Sequence, residues 1–169
     1  MCGRFLFSSE ENDEIRDIVN ADSGRRVVVV SAAGKRHGKD HKITDLLYLC
    51  HAHTQYGVDC DRIFEMITSR YIEIRDELNL KVDLESEFAE LKKRLDAKAI
   101  SQDELVSRGE YFSAKLMAAF LGFQFVDAVD WIKFKFDGTV DQDATYAALK
   151  KMLKGKGAVI PGFYGLMPD

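Results

Sequence analysis

Four consecutive valines, Val27 to Val30, constrain the fold more than any other stretch of this sequence. β-Branched residues favour strands, and a run without polar alternation is typical of a strand that is covered on both faces. A short apolar strand pattern at residues 3–7 precedes it, followed by a helix pattern that begins after Ser8 and Ser9. Strand, helix and strand within the first thirty residues predict the start of a parallel α/β sheet.

The rest of the chain continues this pattern without a linker or an internal repeat. From Ile43 to about Leu121, four segments carry apolar residues at three- and four-residue spacing, which predicts helices. Later segments predict two strands, a capped helix and a last strand, at residues 123–128, 131–136, 141–154 and 158–162. We therefore predict an α/β fold in a single domain over residues 1–169, with a mainly parallel sheet and helices on both faces.

Composition and charge narrow the classes of function. Hydrophobic residues make up 46% of the chain and charged residues 31%, as in ordinary globular domains. The net charge is −4 and no basic patch is interleaved with aromatic residues, so nucleic acid is not an expected partner. We expect no membrane span, because no apolar stretch reaches about 18 residues. The N-terminus does not resemble a signal peptide, so Cys2, Cys50 and Cys60 are interpreted as reduced thiols of a cytoplasmic protein.

The loop after the valine strand is the first candidate site. Ligands of open α/β sheets bind at the carboxyl ends of the strands, and small residues with ammonium groups there suit an anionic ligand. The spacing is not that of a phosphate-binding P-loop. The alternative is an ordinary solvated loop. The residues concerned are Ser31, Gly34, Lys35, Lys39 and Thr44.

The second candidate is a glycine beside a glutamate inside a predicted helix, Gly109 and Glu110. Glycine costs about 1 kcal/mol relative to alanine in a helix interior. Such a local conflict often marks a close backbone approach or a functional position. Glu110 could receive the ammonium group of a ligand. The alternative is a surface glutamate beside a helix–helix contact.

Two further stretches complete the set of candidates. The segment from Cys50 to Cys60 mixes cysteine with histidine, but Cys50 and His51 point to different helix faces, so we do not expect a zinc site. Near the C-terminus, Gly162 and Gly165 would let the backbone approach a ligand closely. The alternative for these glycines is a simple turn.

Three of these stretches, in this order, resemble motifs of the aspartokinases in the amino-acid kinase superfamily. They read VVVVSAAGK followed by KITDLL, then DELVSRGEYFSAKL, and finally VIPGFYG. The resemblance implies phosphorylation of the β-carboxylate of L-aspartate, with ATP and Mg²⁺ as cofactors. That reaction opens the route to lysine, threonine and methionine.

The resemblance also implies roles for individual residues. Glu110, next to Gly109, matches the motif glutamate that binds the amino-acid substrate. Ser31 and Thr44 match residues near the carboxylates of that substrate. In a separate motif, Gly162 and Phe163 match the glycine turn at the catalytic centre.

The sequence departs from the family at its N-terminal end. The family opens with K-F-G-G-[ST]-S, whereas this chain has Arg4, Phe5, Leu6, Phe7, Ser8 and Ser9 in that place. Arg4 keeps a positive charge where the phosphate-contacting lysine stands, although the two side chains differ in geometry. Leu6 and Phe7 place side chains where the paired glycines let the backbone approach the phosphates.

A second departure lies at the C-terminal end. In the family, a G-R-G-G-S-D stretch, the nucleotide lobe and ACT-type regulatory domains follow the glycine turn, whereas this sequence ends at Asp169. We therefore expect a truncated N-terminal lobe that is inactive alone. One alternative is a non-catalytic module that binds aspartate or pairs with subunits, and another is a fragment of an ordinary full-length kinase. The expected partners of the chain are L-aspartate and either a second copy or a complementing kinase lobe.

Overall fold

The protein folds around a parallel sheet, seen in a computed structural model that describes residues 2–3, 9–153, 155 and 157–168, with side chains from residue 12 onward. The sheet has four strands in the order β1-β2-β4-β3, and each neighbouring pair is parallel. The strands are β1 (Cys2–Gly3), β2 (Val27–Val30), β3 (Gln124–Phe125) and β4 (Ala158–Pro161).

Seven helices connect and cover these strands in the described part of the chain. They are α1 (Ser9–Asn20), α2 (Ile43–Gln55), α3 (Asp61–Glu77), α4 (Glu85–Asp96), α5 (Gln102–Leu121), α6 (Ala128–Trp131) and α7 (Gln142–Met152). The four helices predicted between residues 43 and 121 are confirmed, as is the capped helix that follows. Ser101 caps α5 by accepting a hydrogen bond from the amide of Glu104 at 3.1 Å. Asp141 caps α7 in the same way.

The valine strand separates two hydrophobic cores, as predicted. Val28 and Val30 point into the larger core, which α2 to α5 complete. Val27 and Val29 point to the other side, where they pack in a smaller core with Trp131 of α6 and apolar residues of α7. The prediction of a mainly parallel sheet with helices on both faces is therefore confirmed.

Of the two strands predicted around residues 123–136, the first is confirmed in part and the second is wrong. Only Gln124 and Phe125 pair with β4, because Asp127 then accepts a hydrogen bond from the amide of Val129 and starts α6. Trp131 lies at the end of that helix and is buried. After it, Phe134 forms only an isolated bridge with Val140. Of the strand predicted at residues 3–7, the structure describes only Gly3, which lies in β1.

The chain after β4 packs back against the segment that follows α6. A methyl group at Gly165 would lie 2.5 Å from Cγ2 of Ile132 and 2.8 Å from the ring of Phe134. The amide of Leu166 donates a hydrogen bond to the carbonyl of Ile132 at 2.9 Å.

Within the described residues, no helix has the length and apolar character needed to cross a bilayer.

The contact at Gly165 leads to a stability prediction. We expect Gly165→Ala to lower the free energy of unfolding by about 1–3 kcal/mol, because the added methyl group overpacks Ile132 and Phe134. Gly38→Ala is the matched control, since no atom lies within 4 Å of a methyl group there. Urea denaturation of both variants would measure the difference. Equal stabilities would contradict the prediction.

Candidate functional site

The candidate site lies at the carboxyl ends of β2 and β4. Val30 pairs with Pro161, so Ser31 and Gly162 leave the sheet side by side. The amide of Gly162 donates a hydrogen bond to the carbonyl of Val30 at 2.9 Å, and a methyl group at Gly162 would lie 3.2 Å from that oxygen. The two motifs therefore meet at the carboxyl ends of two neighbouring strands. Because Gly162 has no side chain, the backbone of β2 can lie directly against it.

Glu110 of α5 reaches the first of these two loops. Its Oε1 accepts a hydrogen bond from the amide of Ala32 at 3.3 Å, directly after Ser31. The residue is only 7% exposed, and its Oε2 has no hydrogen-bond partner among the described residues. The interpretation of Glu110 as a surface glutamate is therefore wrong.

Burial sets the electrostatics of Glu110. Desolvation raises its pKa above the ordinary carboxyl value, and the hydrogen bond from Ala32 offsets this only in part. A buried carboxylate with one oxygen lacking a partner gains most from a cation, and an ammonium group supplies both positive charge and hydrogen-bond donors. The geometry at Glu110 therefore suits the amino group of a ligand.

Gly109 explains how α5 comes so close to the loop. A methyl group at this position would lie 3.0 Å from Cβ of Ala32 and 3.4 Å from side-chain atoms of Ile43 and Leu47. The carbonyl of Gly109 also accepts a hydrogen bond from the hydroxyl of Tyr71 at 2.8 Å. The prediction that this helical glycine marks a close backbone approach is confirmed.

The first turn of α2 forms the other end of the loop. Thr44 lies in that turn and is half-buried, as is Ser31 at the opposite end of the loop. The first amide groups of a helix have no acceptor within the helix, and the helix dipole favours negative charge there. By contrast, Lys35 and Lys39 are exposed on the loop between them.

A buried ion pair, which no sequence pattern predicted, holds this loop. Asp40 is 6% exposed, and its Oδ1 lies 2.7 Å from Nη2 of Arg70. Arg70 lies in α3 and is fully buried. Arg70 also donates hydrogen bonds to the carbonyls of Gly34 and His41, at 3.4 and 2.7 Å. The loop is therefore anchored to α3, although its residues 35–39 are exposed to solvent.

Arg36 completes the set of charges around Asp40. It bonds Oδ2 of Asp40 through both its amide and its guanidinium, and it pairs with Glu73 of α3 at 3.0 Å. Burial by itself would raise the pKa of Asp40, but the hydrogen bonds from Arg36 and the charge of Arg70 outweigh it and hold that pKa well below its usual range.

Tyr164 links the C-terminal turn to α5. Its hydroxyl donates a hydrogen bond to Asp127 at 2.8 Å. The guanidinium of Arg108 lies 4.5 Å from the ring centre of Tyr111 and 5.5 Å from that of Tyr164. This cation–aromatic cluster places the residue before Gly109 next to the glycine turn.

Phe163 has an unusual backbone within that turn. Its φ angle is +80°, a left-handed conformation that costs energy for a residue with a bulky side chain. Its ring is 78% exposed. Strained residues of this kind cluster at functional sites.

The remaining candidates are Arg4 and the cysteines. Arg4, with Leu6 and Phe7, lies outside the described residues. Cys50 and Cys60 are buried free thiols, and the hydroxyl of Thr54 lies 3.6 Å from the sulfur of Cys60. The described part of the chain contains no group of three or more His, Cys, Asp or Glu side chains arranged to hold a metal ion.

Comparison with known proteins connects this arrangement to one family. The chain superposes on the aspartate kinase of Clostridium acetobutylicum with a TM-score of 0.90 and 39% identity, covering 98% of this chain and 38% of that one. It is also 29% identical to aspartokinase 3 of Bacillus subtilis over 182 aligned residues, covering 99% of this chain and 40% of that protein. The chain is a homologue of the aspartokinases. No family model matches it.

Two solved structures of Escherichia coli aspartokinase III share the fold at lower identity. One is a complex with lysine and aspartate, with a TM-score of 0.75 and 22% identity. The other is a complex with aspartate and ADP, with a TM-score of 0.72 and 20% identity. Each match covers 98% of this chain and 41% of the aspartokinase. The chain thus spans about two fifths of the length of the aspartokinases that it matches, and its resemblance to one part of them is confirmed.

Proposed function

We propose that this chain forms the L-aspartate site of an aspartate kinase. The observation that carries the proposal is Glu110, a buried carboxylate with one oxygen lacking a partner among the described residues, at the carboxyl end of β2. Its position suits the ammonium group of an amino acid. Aspartate is a ligand in the two E. coli structures that share this fold.

The same end of the sheet also suits the carboxylate groups of aspartate. Ser31 and Thr44 offer hydroxyl donors at the two ends of the loop, and the first turn of α2 favours negative charge. A dicarboxylate with one ammonium group therefore matches the charges of the site better than a neutral amino acid does. Gly162 and Phe163, on the neighbouring strand end, are the proposed contacts nearest the reacting carboxylate.

The proposed reaction is phosphorylation of the β-carboxylate of aspartate, the first step towards lysine, threonine and methionine in the cytoplasm. Bound ATP with Mg²⁺ would supply the phosphoryl group and neutralise its charge. The residues proposed at the phosphates, Arg4 to Phe7, lie outside the described part of the chain. The described residues therefore carry only the binding and orientation of aspartate in this proposal.

We further propose that residues 1–169 act as a single aspartate-binding domain that binds without turnover on its own. Leu6 and Phe7 support this, because they replace the glycines that admit phosphate in the family. An assay coupled to ADP release would contradict it by showing aspartate-dependent turnover. Pairing with a second copy or with a complementing kinase lobe stays a prediction, with the exposed residue Phe136 as a candidate contact.

Ligand binding to the purified chain tests the proposed function. We expect L-aspartate to raise the melting temperature, since a ligand at about 100 times its Kd stabilises the folded state by about 2.7 kcal/mol. Succinate, which has both carboxylates but no ammonium group, is the matched control and is expected to give little shift. The absence of a shift with L-aspartate, or equal shifts with both ligands, would reject the proposal. A shift with Mg²⁺–ATP would show that the chain also binds nucleotide.

A further inference from the structure

Two adjacent residues of α3 contact the two halves of the candidate site. The side chain of Arg70 is fully buried and bonds three groups of the β2–α2 loop, namely Asp40 and the carbonyls of Gly34 and His41. Tyr71 donates its hydroxyl to the carbonyl of Gly109, directly before Glu110 in α5. One turn of α3 therefore holds both the loop and the helix that carry the proposed ligand contacts.

Asp40 is the central acceptor within the loop. Besides Arg70, it accepts hydrogen bonds from the amides of Arg36 and His41, at 2.8 and 2.9 Å. These bonds close residues 36–41 on themselves and tie them to α3. Ala32, whose amide donates a hydrogen bond to Glu110 at 3.3 Å, belongs to the same loop.

Stability alone does not account for a buried ion pair at this place. Desolvating two charges is costly, and apolar residues of similar volume are often as stabilising or more so. What the ion pair provides is a set of hydrogen bonds with defined directions. Six hydrogen bonds from Arg36, His41 and Arg70 converge on Asp40 and on the carbonyls of Gly34 and His41, and together they tie the loop to α3.

We infer that Arg70, acting through Asp40, is a positioning residue for the aspartate site. It touches no substrate. Its role is to hold the β2–α2 loop so that Ser31 and Thr44, at the two ends of the loop, keep their positions relative to Glu110. This inference rests on the proposed function, and it adds two residues to the site that the family motifs do not include.

A double variant separates positioning from stability. Asp40→Ala with Arg70→Met removes both charges together, so neither remains buried and uncompensated. The matched control is Arg75→Met with Glu85→Ala, which removes an α3 ion pair at 2.6 Å that lies away from the loop. We would measure the Kd for L-aspartate by calorimetry, at a temperature at which all proteins are folded. Amide hydrogen exchange at Arg36 and His41 would report on the loop.

We expect the double variant to bind L-aspartate at least about tenfold more weakly than the wild type and to exchange these two amides faster by about the same factor. The control is expected to match the wild type in both measurements. A double variant with unchanged Kd would overturn the inference while leaving the proposed function in place. A wild type that does not bind L-aspartate would instead reject the proposed function and, with it, the positioning role.

A second variant covers the case in which the double variant does not fold. Arg70→Lys keeps the positive charge but replaces the planar guanidinium by a single ammonium group, which cannot reach Asp40 and both carbonyls in the same geometry. We expect its Kd to lie between those of the wild type and the double variant. A wild-type Kd for Arg70→Lys, together with unchanged exchange at Arg36, would overturn the inference.

Discussion

Glu110→Gln is expected to weaken L-aspartate binding more than about a hundredfold while it raises the stability of the ligand-free protein. The loss of binding follows because the ammonium group of the ligand would be buried opposite a neutral amide, and breaking a buried charge pair costs about 3–5 kcal/mol. The gain in stability follows because burial makes the ionised form of Glu110 unfavourable in the folded state, which also raises the pKa of Glu110. Glutamine has no such ionised form.

The pH dependence of this gain has a definite sign. Because the pKa of Glu110 is higher in the folded than in the unfolded protein, the folded state binds more protons between the two values, and stability falls as pH rises through them. The advantage of Glu110→Gln should therefore be present above that window and disappear below the ordinary carboxyl pKa. Binding of L-aspartate to the wild type should weaken as pH falls through the raised pKa, since the protonated acid does not pair with an ammonium group.

Urea denaturation across pH, with and without L-aspartate, checks both expectations. Glu104→Gln is the control on the same helix, because Arg94 lowers the pKa of Glu104 and the sign is reversed. That variant should lose stability at neutral pH and leave binding unchanged. If Glu110→Gln instead lowered stability at neutral pH, the assignment of Glu110 as a desolvated carboxylate would be wrong.

Arg70→Met alone is expected to cause the second large effect. Removing one partner of a buried ion pair costs about 3–5 kcal/mol, because the other charge stays buried without compensation. We expect the lower end of that range, since Arg36 still contacts Asp40. The loss should shrink in acid, because the lowered pKa of Asp40 gives stability that is present above the ordinary carboxyl pKa and disappears as pH falls through the folded value.

The control for Arg70→Met is Arg75→Met on the same helix. Glu85, its partner, is mostly exposed, so we expect a loss of at most about 1 kcal/mol. Urea denaturation at neutral pH and in acid would measure both variants. Equal losses for the two substitutions would show that the contact between Arg70 and Asp40 contributes no more than a surface pair.

Local patterns were sufficient to predict much of this fold and part of the site. The valine run of β2 has an apolar residue at every position, so its two covered faces follow from the sequence. Gly109 breaks a helix rule, and its neighbours Ala32 and Ile43 show why. The segment around Trp131 was wrongly predicted as a strand because aromatic residues favour strands. Asp127 instead caps a helix, α6, that ends at Trp131.

The ion pair between Asp40 and Arg70 was not predictable in the same way. Its members lie in different elements, and no spacing rule connects a loop aspartate with a helical arginine thirty residues later. One signal was present, however. Arg70 belongs to the same face of α3 as the buried residues Ile67, Tyr71 and Ile74, where an arginine needs a buried partner.

The contacts at Gly109 restrict how this site can be redesigned. Because the backbone of α5 already lies against Ala32, Ile43 and Leu47, any side chain introduced at Gly109 would press on these residues. If the site binds an amino acid as proposed, Ser31 and Thr44 at the two ends of the loop are the positions left for fitting a longer or shorter ligand. Selection for altered ligand length is therefore expected to collect substitutions in the loop and at the start of α2, and to leave the glycine untouched.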